Sequence, residues 1–124
     1  MDLVLAEPSG LVVPQELRNA IRIAGRDVRV EVGPVVLLLD AGDADGPFAD
    51  GYEQLTRRQA VEADAIALTK ADRRDQEALR ALEAKAKDLN GSADYFRVST
   101  ADGSGLDALA AYLLNDSATT KEVE

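Results

Sequence analysis

Short runs that are apolar at every position alternate along this sequence with segments of helical spacing. The runs cover residues 3–6, 35–39 and 65–68. A strand without polar positions must be covered on both faces, which is typical of a parallel sheet that lies between helices. We therefore predict an α/β protein with a mainly parallel sheet and flanking helices.

Two weaker strand patterns complete the predicted sheet, and four helical patterns accompany it. Residues 28–32 alternate valine with charged side chains, and residues 95–98 are mostly apolar, so both segments predict strands. Helices are predicted from Pro14 to a stop at Gly25, over residues 52–62, ahead of Asn90, and after Ser104. We expect one domain over residues 1–115 and a polar flexible tail over residues 116–124.

The composition excludes several classes of function. The chain has 124 residues with 14 basic and 23 acidic side chains, no histidine and no cysteine, and its net charge is −9. Disulfides, Cys or His metal sites, thiol nucleophiles and Ser-His-Asp triads are therefore excluded. The acidic charge argues against nucleic acid as a partner. Because the longest apolar run is far shorter than the ~20 residues that span a bilayer, we expect no membrane partner. The expected compartment is the cytoplasm, with which the absence of cysteine is compatible.

Polar residues stand at the point where each of four predicted strands ends. They are Glu7, Asp40, Thr69 and Ser99. Ligands of open parallel sheets bind beyond the carboxyl ends of the strands, so these positions are candidates for a site. Taken singly, each is explained equally well by the need of a buried strand to end in a soluble residue. The sequence around them distinguishes the two interpretations.

Residues 67–72 read A-L-T-K-A-D, a strand that runs into T-K-x-D. This resembles the guanine-specificity motif of GTPases, which is usually N-K-x-D and in some branches T-K-x-D. A carboxylate at Asp72 can accept from the ring N–H and the exocyclic amine of guanine, a donor pair that adenine lacks. The stem of Lys70 can lie along a face of the base. Thr69 keeps a hydroxyl at the first position but lacks the amide of asparagine.

The loop over residues 98–106 reads V-S-T-A-D-G-S-G-L. It resembles the GTPase loop V-S-A-x-x-G-x-G-L, in which a backbone N–H contacts the guanine carbonyl. The resemblance implies that Ser99, Thr100 and Ala101 complete a base pocket. A rival interpretation is a dinucleotide fingerprint, because residues 103–108 fit G-x-G-x-x-A. That motif needs a following strand and an acidic residue about 20 positions later, which the 124 residues do not supply.

The segment from Glu7 reads E-P-S-G-L-V-V-P. It resembles the metal-and-γ-phosphate motif of the CobW/HypB/UreG family of metal-centre GTPases, especially the CobW-like branch. The resemblance implies that Glu7 lies near Mg²⁺ and that the N–H of Gly10 faces the γ-phosphate. Taken alone, the four residues E-P-S-G are explained equally well as a turn that occurs by chance.

The order of five elements strengthens the resemblance. The family runs from E-x-x-G to a strand that ends in Asp, a helix of the form xxQxxxAD, the specificity motif and the S-A-x-x-G-x-G loop. This chain has the same order, with R-Q-A-V-E-A-D at residues 58–64. The resemblance covers about residues 2–115 and corresponds to the second half of the family's G domain.

The resemblance implies the C-terminal part of a CobW-like GTP-binding protein, with GTP or GDP and Mg²⁺ as cofactors. In the intact protein, GTP hydrolysis would be coupled to delivery of a metal or a cobalamin cofactor to a client, a metalloenzyme or a corrinoid protein.

A phosphate-binding loop is missing from the sequence. No G-x-x-x-x-G-K-[ST] occurs, none of the four lysines follows a glycine, and the family's C-x-C-C segment has no counterpart. Since phosphoryl transfer depends on positioning and charge neutralisation, we expect no hydrolysis by this chain alone and assign no catalytic residue. The alternative function is a non-catalytic interaction domain. It would pair with the N-terminal half of a G domain or self-associate, because a sheet edge and an apolar face would be uncovered.

Overall fold

The computed structural model describes residues 3–8, 12–26, 29, 31–42 and 53–116. In chain order the elements are α1 (Pro14–Ala24), β1 (Val36–Asp40), α2 (Glu53–Glu62), β2 (Ala65–Thr69), a 3-10 turn (Ala71–Arg73), α3 (Gln76–Leu89), β3 (Asp94–Arg97) and α4 (Leu106–Asp116). None of the described helices is long and apolar enough to cross a membrane.

The three described strands form a parallel sheet in the order β1-β2-β3. Leu38 of β1 lies opposite Ala67 of β2, which lies opposite Phe96 of β3. All three strands therefore end at the same edge of the sheet. The predicted α/β class with a parallel sheet and flanking helices is confirmed.

One face of the sheet packs against α2 and α3. Side chains on alternate strand positions point to one face, and on this face Leu39, Ile66 and Leu68 are buried. They meet small or branched residues of the two helices, Ala60 on α2 and Leu79 on α3. The apolar runs at residues 35–39 and 65–68 predicted β1 and β2, and in β2 all four apolar positions are buried.

The opposite face of the sheet is covered only in part by described residues. Ala67 at its centre is fully buried, and the ring of Phe96 lies 5.2 Å from that of Tyr112 on α4, centroid to centroid. Leu38, on the strand at the end of the described sheet, is 61% exposed. An apolar side chain is therefore exposed at β1, on the kind of surface that the sequence analysis expected to be uncovered.

The R-Q-A-V-E-A-D segment connects elements at the amino ends of the strands. Oδ2 of Asp64 accepts from the backbone N–H of Val35 at 2.7 Å and from Nη2 of Arg18 on α1 at 2.8 Å. Nε2 of Gln59 donates to the carbonyl of Val12 at 3.0 Å. These two motif residues therefore connect the starts of α1 and β1 to α2. They lie at the end of the sheet opposite the candidate site.

Asn90 connects α2, α3 and β3 from a buried position. Its Nδ2 donates to the carbonyls of Ala60 and Ala63, both at 2.9 Å. Its Oδ1 accepts from the N–H of Ala93 at 3.1 Å, and its own carbonyl accepts from the hydroxyl of Tyr95 at 2.6 Å. The sequence indicated a helix end here, and the structure adds a junction of three elements.

Two strand predictions fail in the described residues. Residues 3–6 form no strand, and Leu3, Val4 and Leu5 are exposed. A strand needs a neighbour for its N–H and carbonyl groups, and none of the three described strands pairs with this segment. Positions 29, 31 and 32 of the second pattern are not in a strand either, while 28 and 30 lie outside the described residues. The predicted tail also lies outside them from residue 117 onward, so the division into domain and tail stays a prediction.

Candidate functional site

The loops that follow the three strands are held together by backbone hydrogen bonds. The N–H of Ala41 donates to the carbonyl of Thr69 at 3.0 Å, which links the end of β1 to that of β2. The N–H of Ala71 donates to the carbonyl of Val98 at 3.1 Å, which links the T-K-A-D segment to the loop after β3. The two segments singled out in the sequence therefore lie side by side.

Asp72 and Ser99 form the central contact of this region. The hydroxyl of Ser99 donates to Oδ1 of Asp72 at 2.6 Å. Ser99 is only 1% exposed, whereas Asp72 is exposed on the 3-10 turn that follows β2. A buried hydroxyl thus fixes the direction of a carboxylate that a ligand can reach.

Lys70 has a left-handed backbone conformation, with φ of 55°. This region is unfavourable for residues with a Cβ, so the turn between β2 and Asp72 is held by its surroundings. Nζ of Lys70 donates to Oδ2 of Asp40 at 2.8 Å, across the ends of two neighbouring strands. Hydrogen bonds from Lys70 and from the N–H of Gly42, together with the positive charges of Lys70 and Arg73, hold the pKa of Asp40 below its ordinary value.

Thr69, the first position of T-K-x-D, is directed toward the neighbouring strand. Its hydroxyl donates to the carbonyl of Leu39 at 3.3 Å. The residue therefore connects the ends of β2 and β1, in addition to their ladder hydrogen bonds.

The loop from Ser99 to Gly105 is a compact turn with its own hydrogen bonds. The N–H of Gly103 donates to the carbonyl of Ser99 at 2.9 Å, and the N–H of Ser99 donates to the carbonyl of Ser104 at 3.0 Å. The N–H of Ser104 donates to Asp102, which lowers the pKa of that carboxyl. Thr100 and Ala101, the other two predicted base-pocket residues, are exposed beside Ser99.

Gly105 ends this turn in a conformation that requires glycine. Its φ is +74°, and a Cβ at this position would lie 1.9 Å from the carbonyl oxygen of Arg97. The glycine lets the loop return closely over the end of β3, which is where the buried Ser99 is held.

The comparison with protein families gives a match over most of the chain. The family model of the CobW/HypB/UreG nucleotide-binding domain matches residues 1–97. The chain belongs to the CobW/HypB/UreG family. The match includes Glu7, Asp40 and Asp72 and ends two residues before Ser99. No curated protein and no solved structure gives a match.

The family resemblance assigns Glu7 and Gly10 to the phosphate end of the site. Glu7 is exposed, and Gly10 lies outside the described residues. Among the residues that the structure describes, no group of three or more acidic, His or Cys side chains could hold a metal ion. No step of hydrolysis is assigned to the described residues.

The sequence named Asp40 among the candidate strand ends without giving it a role, and it did not single out Gly42. Asp40 stood out only as a strand end, yet both its carboxylate oxygens are engaged, one by Lys70 and one by the N–H of Gly42 at 2.8 Å. The signal in the sequence was D-A-G at the end of a strand. In the sheet, the aspartate of this segment pairs with Thr69.

Proposed function

We propose that this chain carries the base-recognition half of a guanine-nucleotide site, as the C-terminal part of a CobW-like GTP-binding protein. The observation that supports this best is the exposed Asp72 carboxylate, directed by the buried hydroxyl of Ser99. An ionised carboxylate only accepts hydrogen bonds. Guanine offers it two neighbouring donors, the ring N–H and the exocyclic amine. Adenine offers one donor beside a ring nitrogen with a lone pair, which the carboxylate repels.

Lys70 is the second group with a role in base binding. Its stem emerges beside Asp72, and its ammonium is held by Asp40 at the end of β1. A lysine stem can cover the apolar face of a base while its charged end stays solvated. Asp72 would thus identify the edge of the base, and Lys70 would cover its face.

The direct test is a titration of the complete chain with GMP, IMP and AMP, followed by NMR chemical shifts. We expect GMP to bind most tightly, IMP more weakly because it lacks the exocyclic amine, and AMP weakest. Ser99→Ala should narrow the difference between the GMP and AMP affinities by about two- to tenfold, the range for a typical protein hydrogen bond. Ser92→Ala, at the other end of β3, is the control. Equal affinities for the three nucleotides would contradict the proposal.

The phosphate-binding half belongs, in this proposal, to residues outside these 124. The sequence holds no phosphate-binding loop, so hydrolysis needs a loop and a lysine supplied from elsewhere. GTP hydrolysis should be undetectable with this chain alone and measurable after addition of the N-terminal half of a CobW-like G domain. Hydrolysis by the chain alone would contradict this part. In the intact protein, the hydrolysis would drive delivery of a metal or a cobalamin cofactor to a client metalloenzyme or corrinoid protein.

A second candidate function is that of a non-catalytic interaction domain. The exposed Leu38 within the apolar run of β1 favours it, since such a side chain in a sheet is usually covered. The two functions are compatible, because a base-recognition half must pair with a phosphate-binding half to act. Self-association is the other outcome, and size-exclusion chromatography with light scattering distinguishes the two.

A further inference from the structure

A continuous set of contacts leads from Gly42 through Asp40 to Lys70. The backbone N–H of Gly42 donates to Oδ1 of Asp40, and Nζ of Lys70 donates to Oδ2, both at 2.8 Å. Because each oxygen has its own donor, the carboxylate can neither rotate nor withdraw without breaking a contact. Asp40 and Thr69 are also register partners, so this carboxylate stands beside the start of the T-K-A-D segment.

The backbone beneath this contact is fixed as well. The N–H of Ala41 donates to the carbonyl of Thr69 at 3.0 Å, and the carbonyl of Ala41 accepts from Nε of Arg74 at 2.8 Å. A Cβ on Gly42 would lie 3.1 Å from Cδ of Lys70 and equally far from Cδ of Arg73. The lysine stem therefore packs over the glycine before its ammonium reaches Asp40.

We propose that Asp40 is a positioning residue for base binding, which acts by holding the Lys70 side chain in place before the nucleotide arrives. This inference rests on the proposed function of the T-K-A-D segment. A free lysine side chain has many rotamers and loses that freedom when it covers a ligand. The contact with Asp40 restricts the Lys70 side chain in the folded chain, so less of this freedom is left to lose on binding. The site thus extends over the ends of all three described strands, with β1 contributing Asp40.

The test compares Asp40→Asn with the wild-type chain in the GMP titration. Asparagine keeps the shape and the contact with Gly42 but weakens the hold on Lys70. We expect GMP to bind about two- to fivefold more weakly, the effect typical of an exposed ion pair. Asp88→Asn, which removes the same charge from the exposed side of α3 near the opposite end of the sheet, should leave the affinity unchanged.

A double substitution separates positioning from a general effect on the fold. In a Lys70→Met background, which keeps a long stem without the ammonium, Asp40→Asn should cause no further loss. An equal loss in both backgrounds would overturn the proposal, and so would an Asp40→Asn chain that binds GMP like the wild type.

A measurement without nucleotide keeps this inference distinct from the proposed function. NMR relaxation of the Lys70 ε-carbon should report a more mobile side chain in Asp40→Asn than in the wild type. If the wild type does not prefer GMP over AMP, the proposed function fails, and with it the role of Asp40 in base binding. An immobile Lys70 in Asp40→Asn would instead overturn the positioning by Asp40 while leaving guanine recognition intact.

Discussion

Gly103 and Gly105 lie two residues apart with similar left-handed backbones but with different surroundings. Their φ angles are +80° and +74°. A Cβ on Gly103 would meet no atom within 4 Å, whereas one on Gly105 would lie 1.9 Å from the carbonyl oxygen of Arg97. The pair therefore separates the cost of backbone conformation from the cost of a collision.

We predict that Gly105→Ala destabilises the chain more than Gly103→Ala. The alanine at residue 103 should cost about 1 kcal/mol, for conformation alone. The one at residue 105 should cost about 3 kcal/mol or more, because strain and collision add. Urea unfolding measures both. Equal losses of stability would show that the loop can move away from β3, and the close return over Ser99 would then be wrong.

Protonation of Asp40 provides a test of its contact with Lys70. The folded-state pKa is held below the ordinary value of 3.8 by Lys70, Gly42 and Arg73. The contribution to stability is therefore fully present above pH 3.8 and is lost as the pH falls through the lower folded-state value. NMR titration of the Asp40 carboxyl carbon should give a midpoint below 3.8, and Lys70→Met should raise it. A midpoint at or above 3.8 in the wild type would contradict the contact.

At the scale of elements, the junction at Asn90 determines how α2 and α3 meet the sheet. One side chain satisfies two carbonyls at the end of α2 and the N–H of Ala93 ahead of β3. We predict that Asn90→Ala lowers the free energy of unfolding by about 3 kcal/mol, because buried polar groups lose their partners. Ser92→Ala, beside it but exposed, should cost much less. A loss below about 1 kcal/mol for Asn90→Ala would show that water replaces the amide.

The sequence was sufficient for elements whose signal is local. The runs that became β1 and β2 were predicted because every position is apolar, and α3 was predicted because Leu79, Leu82 and Ala86 repeat at helical spacing. Residues 3–6 carry the same signal as β1 but form no strand in the described structure. The hydrophobic pattern shows which side chains of a segment can be buried. Whether the segment forms a strand also depends on a neighbouring strand from elsewhere in the chain.

In the candidate site too, the sequence predicted what is local and missed contacts between distant segments. The T-K-A-D segment and the loop from Ser99 were found because their motifs are contiguous. The contact of Asp40 with Lys70 joins residues 30 positions apart. The Asn90 junction likewise depends on a register between helices that no local pattern expresses. These contacts became visible only when the parallel ladder placed the strand ends side by side.

At the scale of the whole molecule, the exposed side of β1 is where we expect a partner to bind. Leu38 is 61% exposed on the sheet face opposite α2 and α3. We predict that Leu38→Glu prevents association with the N-terminal half of a CobW-like G domain while leaving the fold intact. Light scattering during size-exclusion chromatography measures the complex. Val61→Glu, at a comparably exposed apolar position on α2, is the control, and a Leu38→Glu complex of unchanged mass would contradict the prediction.

If Asp72 identifies guanine, a change in its hydrogen-bonding groups should change which base the chain prefers. In Asp72→Asn, the amide oxygen of the asparagine can accept a hydrogen bond from the ring N–H of xanthine, and the amide NH₂ of the asparagine can donate to the C2 carbonyl of the base. NMR titrations with GMP and XMP should show that the wild-type chain prefers GMP and that Asp72→Asn prefers XMP. If the substitution leaves the order of the two affinities unchanged, Asp72 does not contact the base and does not determine the specificity.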